Sequence, residues 1–253
     1  MDYISSINVY QPKTRSLKDR NSLLVEEEKK GYRSLVGQLN WVATQTRPDI
    51  SYDVCLLSTV FGEAKMQDLL HANKVVKRIK ETPVVLRFNR LQSIESSTIE
   101  CYSDASYANL RGGGSQGGFI IFIRDQLGQQ CSLVWQSKRV RRVVKSTLSA
   151  ETLALLDGAE TAVYLSHLIG EIFSLKDGKL PVNCYTDSKS LVDALHSTKS
   201  VEDKSLRISI AVLMDMMNSG EVTSVQWVES GEQLADCFTK AGASSVKLIK
   251  AIS

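Results

Sequence analysis

The sequence predicts an α/β chain: a small helical module followed by a mixed five-stranded sheet, three strands antiparallel and then two parallel, with helices on its faces. Three observations carry this. Between Tyr32 and Pro83 apolar residues recur three or four apart, the helical period. From Ile99 to Trp135 short β-rich runs alternate with turn residues. From residue 147 onward helical stretches alternate with short strands, the pattern of crossover connections.

At 253 residues, 43% hydrophobic and 23% charged, the chain is long enough for one large domain or two modest ones. The change of periodicity favours two, with residues 1–31 an N-terminal tail, 32–90 a helical segment and 99–242 the α/β domain. A net charge of +3 excludes a globally basic nucleic-acid binder, so any such signal is local. The five cysteines, Cys55, Cys101, Cys131, Cys184 and Cys237, form no C-x-x-C pair and read as reduced thiols. The N-terminus lacks a secretory pattern, and no window approaches the roughly 18 apolar residues of a membrane span. A soluble, intracellular, cytoplasmic protein is expected.

Taken in order, the charge run Glu26-Glu27-Glu28-Lys29-Lys30 reads as a solvated helix start or linker. Leu35, Leu39 and Val42 mark a helix from Tyr32 that Pro48 stops. A second helix fits 49–61 and a third fits 67–80, the latter basic at Lys74, Lys77, Arg78 and Lys80. Val84 to Phe88 is a short strand candidate, and Ile99 to Ser103 is a strand. Arg111 to Gly118 reads as a glycine-rich hairpin turn, since no Lys-Ser/Thr follows it as a phosphate loop requires. Phe119 to Ile123 suits a central strand, and Cys131 to Trp135 completes a meander. A helix over 147–175, broken near Gly158 or Gly170, leads to a strand at 181–186. Helices over 188–197 and 204–218, a strand over 222–228 and a helix from Glu232 to Lys240 follow.

Four acidic residues are candidates for chemistry. Asp104 and Asp187 end near-duplicate strands, Cys101-Tyr102-Ser103-Asp104 and Cys184-Tyr185-Thr186-Asp187. If those strands are parallel neighbours, both acids emerge at one sheet edge, where ligands bind in such sheets. Glu151 shares a helix face with Leu148, Leu155, Ala159 and Ala162, where a lone carboxylate is costly unless paired, protonated or metal-bound. Plain roles exist for each: Asp187 before Ser188 suits a helix cap, and Glu151 in a first turn suits the helix dipole. Jointly, a shared site is the better reading. Carboxylates without a His/Cys cluster make a hard oxygen site for magnesium, or manganese. Two such ions about 4 Å apart support in-line phosphodiester hydrolysis. The run Lys138-Arg139-Val140-Arg141-Arg142-Val143-Val144-Lys145 directly precedes the Glu151 helix, which favours contact with a phosphate backbone.

These residues resemble the ribonuclease H domain of copia-type retrotransposon Pol polyproteins. The matching segments are Tyr102-Ser103-Asp104-Ala105, Trp135-Gln136-Ser137-Lys138-Arg139, Leu148-Ser149-Ala150-Glu151, Tyr185-Thr186-Asp187-Ser188-Lys189-Ser190 and 232–240. Upstream, Tyr32 to Gly37 with Thr46 to Tyr52 resembles the segment that joins reverse transcriptase to that domain. The resemblance implies an RNase H-like fold that cuts the RNA strand of an RNA–DNA hybrid with two Mg2+ ions, or Mn2+. It puts the metal-binding, catalytic set on Asp104, Glu151, Asp187 and Asp236. Asp236 rests on the resemblance alone. Lys138, Arg139, Arg141, Arg142 and Ser188 are expected to contact substrate, gripping the hybrid by backbone and 2′-hydroxyls. A polymerase region of the same polyprotein is the other expected partner, with virus-like particles or the nucleus as alternative locations.

Two departures bear on function. No Tyr-x-Asp-Asp motif is present and few residues precede Tyr32, so the chain is expected to be a gene fragment that does not polymerise DNA alone. Where the family has Lys-His-Ile-Asp, this chain reads Ser205-Leu206-Arg207-Ile208-Ser209-Ile210. The three histidines, His71, His167 and His196, are expected to pack or face solvent. A catalytically impaired, nucleic-acid-binding remnant is therefore the alternative expectation.

Overall fold

The change from helical to β periodicity near Pro83 is also a structural boundary. The computed structural model, which describes residues 3–12, 19–197 and 203–253, divides into two units, Met1–Val85 and Leu86–Ser253.

In the first unit α1 (Tyr3–Ser6), α2 (Glu26–Gln45), α3 (Ser51–Ser58) and α4 (Met66–Glu81) surround an apolar cluster. Ile7 and Leu24 belong to that cluster, so part of the expected N-terminal tail is packed. α2 starts at Glu26 instead of Tyr32. Its acids occupy the first turn, where they offset the helix dipole, and the Glu28 carboxylate accepts the Val25 N–H at 2.9 Å. The helix expected over 49–61 is shorter, a 3-10 turn (Pro48–Ile50) running into α3. Arg47 is fully buried there. Its Nε and Nη2 donate to Asp49 Oδ1 and Oδ2 at 2.8 Å each, and Nη1 donates to the Ile79 carbonyl at 3.2 Å. The bidentate pair makes the buried charge tolerable, and the Nη1 bond ties the turn to the end of α4.

The second unit carries one sheet of β1 (Thr98–Ser106), β2 (Gln116–Arg124), β3 (Gln130–Arg139), β4 (Val182–Thr186) and β5 (Ser224–Trp227). Strand order is β3-β2-β1-β4-β5, antiparallel across the first three strands and parallel at β1–β4 and β4–β5. This is the RNase H-like α/β fold that the resemblance implied. α5 (Thr147–Ile172), α6 (Lys189–His196), α7 (Lys204–Asn218) and α8 (Val246–Ile252) complete the unit. The main core joins Ile99, Phe119, Ile121 and Val182 of the sheet to Leu155 and Ala159 of α5.

Several local expectations are corrected. No strand forms over Val84 to Phe88; Val85 and Phe88 are exposed, and the Arg87 N–H bonds instead to the Ile252 carbonyl at 2.8 Å. α8 lies beyond residue 242 yet belongs to this unit, the Ala251 carbonyl accepting from Gln130 Nε2 at 2.8 Å. α5 is unbroken for 26 residues. At Gly158 a Cβ would lie 2.7 Å from Cys101 Sγ and 3.3 Å from Phe119 Cβ, so this glycine lets helix and sheet close up instead of breaking the helix. Gly117 and Gly118, read as turn residues, are in β2. The helix expected over Glu232 to Lys240 is replaced by two 3-10 turns, Ser230–Glu232 and Asp236–Phe238. Gln233 between them is extended and buried. Its Nε2 donates to the Ser103 carbonyl at 3.0 Å and its Oε1 accepts the Ala235 N–H at 3.1 Å. Pinned to β1 in this way, the segment satisfies its polar groups outside a helix.

Candidate functional site

Parallel pairing sets Ile99 opposite Val182 and Tyr102 opposite Tyr185. Two residues further along both strands, Asp104 comes level with Asp187, so the near-duplicate segments deliver both carboxylates to one sheet edge. Asp236 arrives from the other direction. Gly118 sits opposite Asp104 in the β1–β2 ladder, and a Cβ there would come within 2.4 Å of Phe238 Cβ. The bare glycine therefore lets the Asp236–Phe238 turn lie directly on the sheet. Ser137, opposite Gly118 on β3, fixes the turn by donating from Oγ to the Phe238 carbonyl at 2.6 Å.

Carboxylate oxygens of Asp104, Asp187 and Asp236 all lie within 4.8 Å of one another, close enough to share a cation. Asp104 is fully buried, and the other two are half-buried. Thr239 Oγ1 donates to Asp104 Oδ2. Lys240 Nζ lies 3.3 Å from Asp104 Oδ1 and 2.5 Å from Asp236 Oδ1. On the far side, Ser230 Oγ donates to Asp187 Oδ2 at 2.8 Å and Trp227 Nε1 donates to the Asp187 carbonyl at 3.1 Å.

Glu151 stands outside that spacing but beside it, in the first turns of α5, whose cap Ser146 accepts the Ser149 N–H at 3.1 Å. It is buried with Leu155, Ala159 and Ala162 on the same helix face, as its spacing implied. The Ala105 backbone donates to its carboxylate, while Oε2 is buried with no hydrogen-bond partner. Burial, reinforced by Asp104 and Asp187, pushes its pKa up to about 9. Burial pushes Asp104 up to about 6 against the opposing pull of Lys240 and Thr239. Burial works against charge on Lys240, yet Asp104 and Asp236 more than offset it and raise its pKa.

The basic run begins at the same end of the sheet. The row Asp104–Gly118–Ser137 crosses two strand spacings, about 10 Å at ~4.8 Å each, and Lys138 and Arg139 follow Ser137 directly. Both end β3, Arg141 and Arg142 lie in the connection to α5, and all four are exposed. Lys138 pairs with Asp157 on α5 at 2.8 Å and Lys145 with Asp203 at 3.1 Å. Ser188, next to Asp187, precedes α6, and its hydroxyl lies 3.2 Å from that of Ser190.

The histidines stand apart from this cluster in their bonding. His71 meets Asp53 at 2.9 Å, His167 meets Glu221 at 2.7 Å, and His196 Nδ1 lies 2.8 Å from the Val192 carbonyl. The Ser205–Ile210 stretch is the first half of α7 and turns Leu206 and Ile210 into the core. Sequence reasoning gave no role to Thr239, Lys240, Ser230 or Gln233. The signal for Lys240 was its place four residues after Asp236.

Known proteins resemble this chain in sequence and in structure. No family model matches the chain. The retrovirus-related Pol polyprotein from transposon RE1 of Arabidopsis thaliana is 27% identical over 215 residues, which cover 83% of this chain and 14% of that polyprotein. The putative transposon Ty5-1 protein of Saccharomyces cerevisiae is 32% identical over 114 residues, 45% of this chain and 35% of the relative. The chain thus spans only a minor part of the curated relatives it matches. Among solved structures, LC11-RNase H1 in complex with an RNA/DNA hybrid superposes with a TM-score of 0.41 at 19% identity, over 56% of this chain and 93% of that one. The foamy viral protease-reverse transcriptase with an RNA/DNA hybrid gives 0.48 at 12% identity, over 90% of this chain and 27% of that one. The relatives of this chain in sequence include retrotransposon Pol polyproteins, and its α/β unit has the RNase H-like fold.

Proposed function

We propose that the second unit hydrolyses the RNA strand of RNA–DNA hybrids as the ribonuclease H region of a retrotransposon reverse transcriptase polyprotein. One observation carries this reading: three aspartates from β1, the end of β4 and the turn after β5 meet within 4.8 Å, beside a buried glutamate with an unpartnered oxygen. That donor set fits hard divalent cations, with Asp104, Glu151, Asp187 and Asp236 holding two magnesium ions, or manganese. When bound there, such ions supply Lewis-acid polarisation of the phosphoryl group and lower the pKa of the attacking water.

The chain's own residues do the rest. Asp104, rigid in β1 and bonded to Thr239, fixes the centre of the site. Arg139, Arg141 and Arg142 offer exposed positive charge at the same sheet end, and Lys138 can exchange its exposed pair with Asp157 for a phosphate. Ser188 offers a hydroxyl to the substrate backbone beside Asp187. The polymerase region of the same polyprotein is the proposed protein partner, in an intracellular, reducing setting that suits five cysteines with no C-x-x-C pair. Among the described residues no helix is long and apolar enough to cross a membrane.

Incubation with a labelled RNA–DNA hybrid and Mg2+ tests the reading. Cleavage of the RNA strand that Asp104→Asn abolishes is expected; no cleavage by the native chain, or cleavage that survives the substitution, overturns it. A second reading, a hybrid-binding remnant without turnover, is favoured by the helical Ser205–Ile210 stretch that replaces the family histidine segment. It requires salt-dependent binding of the hybrid with no product under any divalent metal.

A further inference from the structure

The acidic cluster already contains a cation of its own. Lys240 Nζ takes one oxygen of Asp104 and one of Asp236, two of the three aspartates that lie within 4.8 Å of one another. We propose that Lys240 is a built-in counter-ion that competes with divalent metal for these oxygens, so that the site accepts metal only as the ammonium withdraws. The inference rests on the metal-centre reading above.

Three features give Lys240 this role instead of a purely structural one. The turn that carries it is anchored without its side chain, by Gly118 beneath Phe238, by Ser137 on the Phe238 carbonyl, and by Thr239 on Asp104. The ammonium can therefore leave while Asp236 stays in place. Its side chain is 40% exposed, so a flexible stem with a compact charge has solvent to move into. An ammonium also has only donors, and each oxygen it engages is one that a small divalent ion needs in near-octahedral geometry. Left in place, it repels the ion by its charge as well. Metal-free, the lysine relieves repulsion among the aspartates; metal-bound, it is redundant. A lysine that merely braced the turn would have the opposite signature, since its loss would loosen Asp236 and weaken metal binding.

The test uses the full chain without substrate. Mn2+ binding, followed by the electron paramagnetic resonance signal of the free ion, is compared between the native protein and Lys240→Met, with thermal unfolding as a check on the fold. Lys240→Met is expected to bind Mn2+ about tenfold more tightly, the scale of one charge-assisted contact released. In the native chain, amine acylation at Lys240 read by mass spectrometry is expected to rise severalfold at saturating Mn2+, with acylation of Lys179 unchanged. Equal or weaker Mn2+ affinity in a folded Lys240→Met, or acylation of Lys240 that does not rise, overturns the inference alone. Absence of Mn2+ binding by both proteins overturns the metal-centre reading together with it.

Discussion

Asp104 and Asp187 end almost the same tetrapeptide and stand at the same level of paired strands, yet they occupy different environments. β1 continues past Asp104 to Ser106 because its antiparallel partner β2 continues with it, and Asp104 is left with no exposed surface. β4 stops at Thr186, and Asp187 steps off the sheet toward α6, half-buried. The buried acid faces Thr239 and Lys240; the outer one faces Ser230. Local sequence thus brings both acids to one edge, while the third element laid over Gly118 decides which is the enclosed centre and which the open rim.

The two aspartates are expected to differ most when each charge is removed in turn. Asp104→Asn is expected to lower hybrid cleavage by at least about a thousandfold and Asp187→Asn by about a hundredfold, since the enclosed carboxylate has no solvent to replace it. Single-turnover rates at saturating Mg2+ measure this, and a larger loss at Asp187 would break the centre-and-rim distinction. The next effect concerns what encloses Asp104. Gly118→Ala drives a Cβ into Phe238, and is expected to cost about 1–3 kcal/mol in urea unfolding and to depress cleavage with it. Gly231→Ala, with open space around it, is expected to change stability by less than about 0.5 kcal/mol. Equal effects at the two glycines would mean that the turn does not rest on the sheet.

The smallest effect reads the charge of the enclosed side directly. The folded state holds a proton on Glu151 up to about 9, against an ordinary value of 4.5. Its carboxyl binds protons better folded than unfolded, so its contribution to stability is full below pH 4.5, declines as pH rises through the window, and levels off above 9. Glu151→Gln keeps an acceptor for the Ala105 backbone and removes that decline. Metal-free protein carrying it is expected to be more stable by on the order of 1–2 kcal/mol near pH 7–8, with a flatter pH profile. Chelator-treated samples followed by thermal unfolding from pH 5 to 9 check the sign; a stability loss at pH 8 would contradict it.

The parts of this molecule legible in the sequence are those governed by local period. The bounds of α7 match, the β-run at Phe119 is the buried middle of β2, and the paired Cys-Tyr-x-Asp segments correctly imply parallel neighbours. The illegible parts depend on contacts far apart in the chain. Gln233 reaches back to Ser103 and cancels a helix that local spacing supports. Gly118 looks like a turn residue until Phe238 is placed above it. Nothing local to Lys240 shows that the turn brings it onto Asp104. Ile7 and Leu24 lie in stretches too short and polar to show a period, yet they fill a core built by later helices.

The most direct test of the central claim is the location of a divalent ion itself. Crystals of the protein equilibrated with Mn2+ and measured at the manganese absorption edge should show an anomalous peak among the carboxylates of Asp104, Asp187 and Asp236, with Lys240 displaced from Asp104. A peak elsewhere, or none at millimolar Mn2+, would contradict a metal centre at this sheet edge.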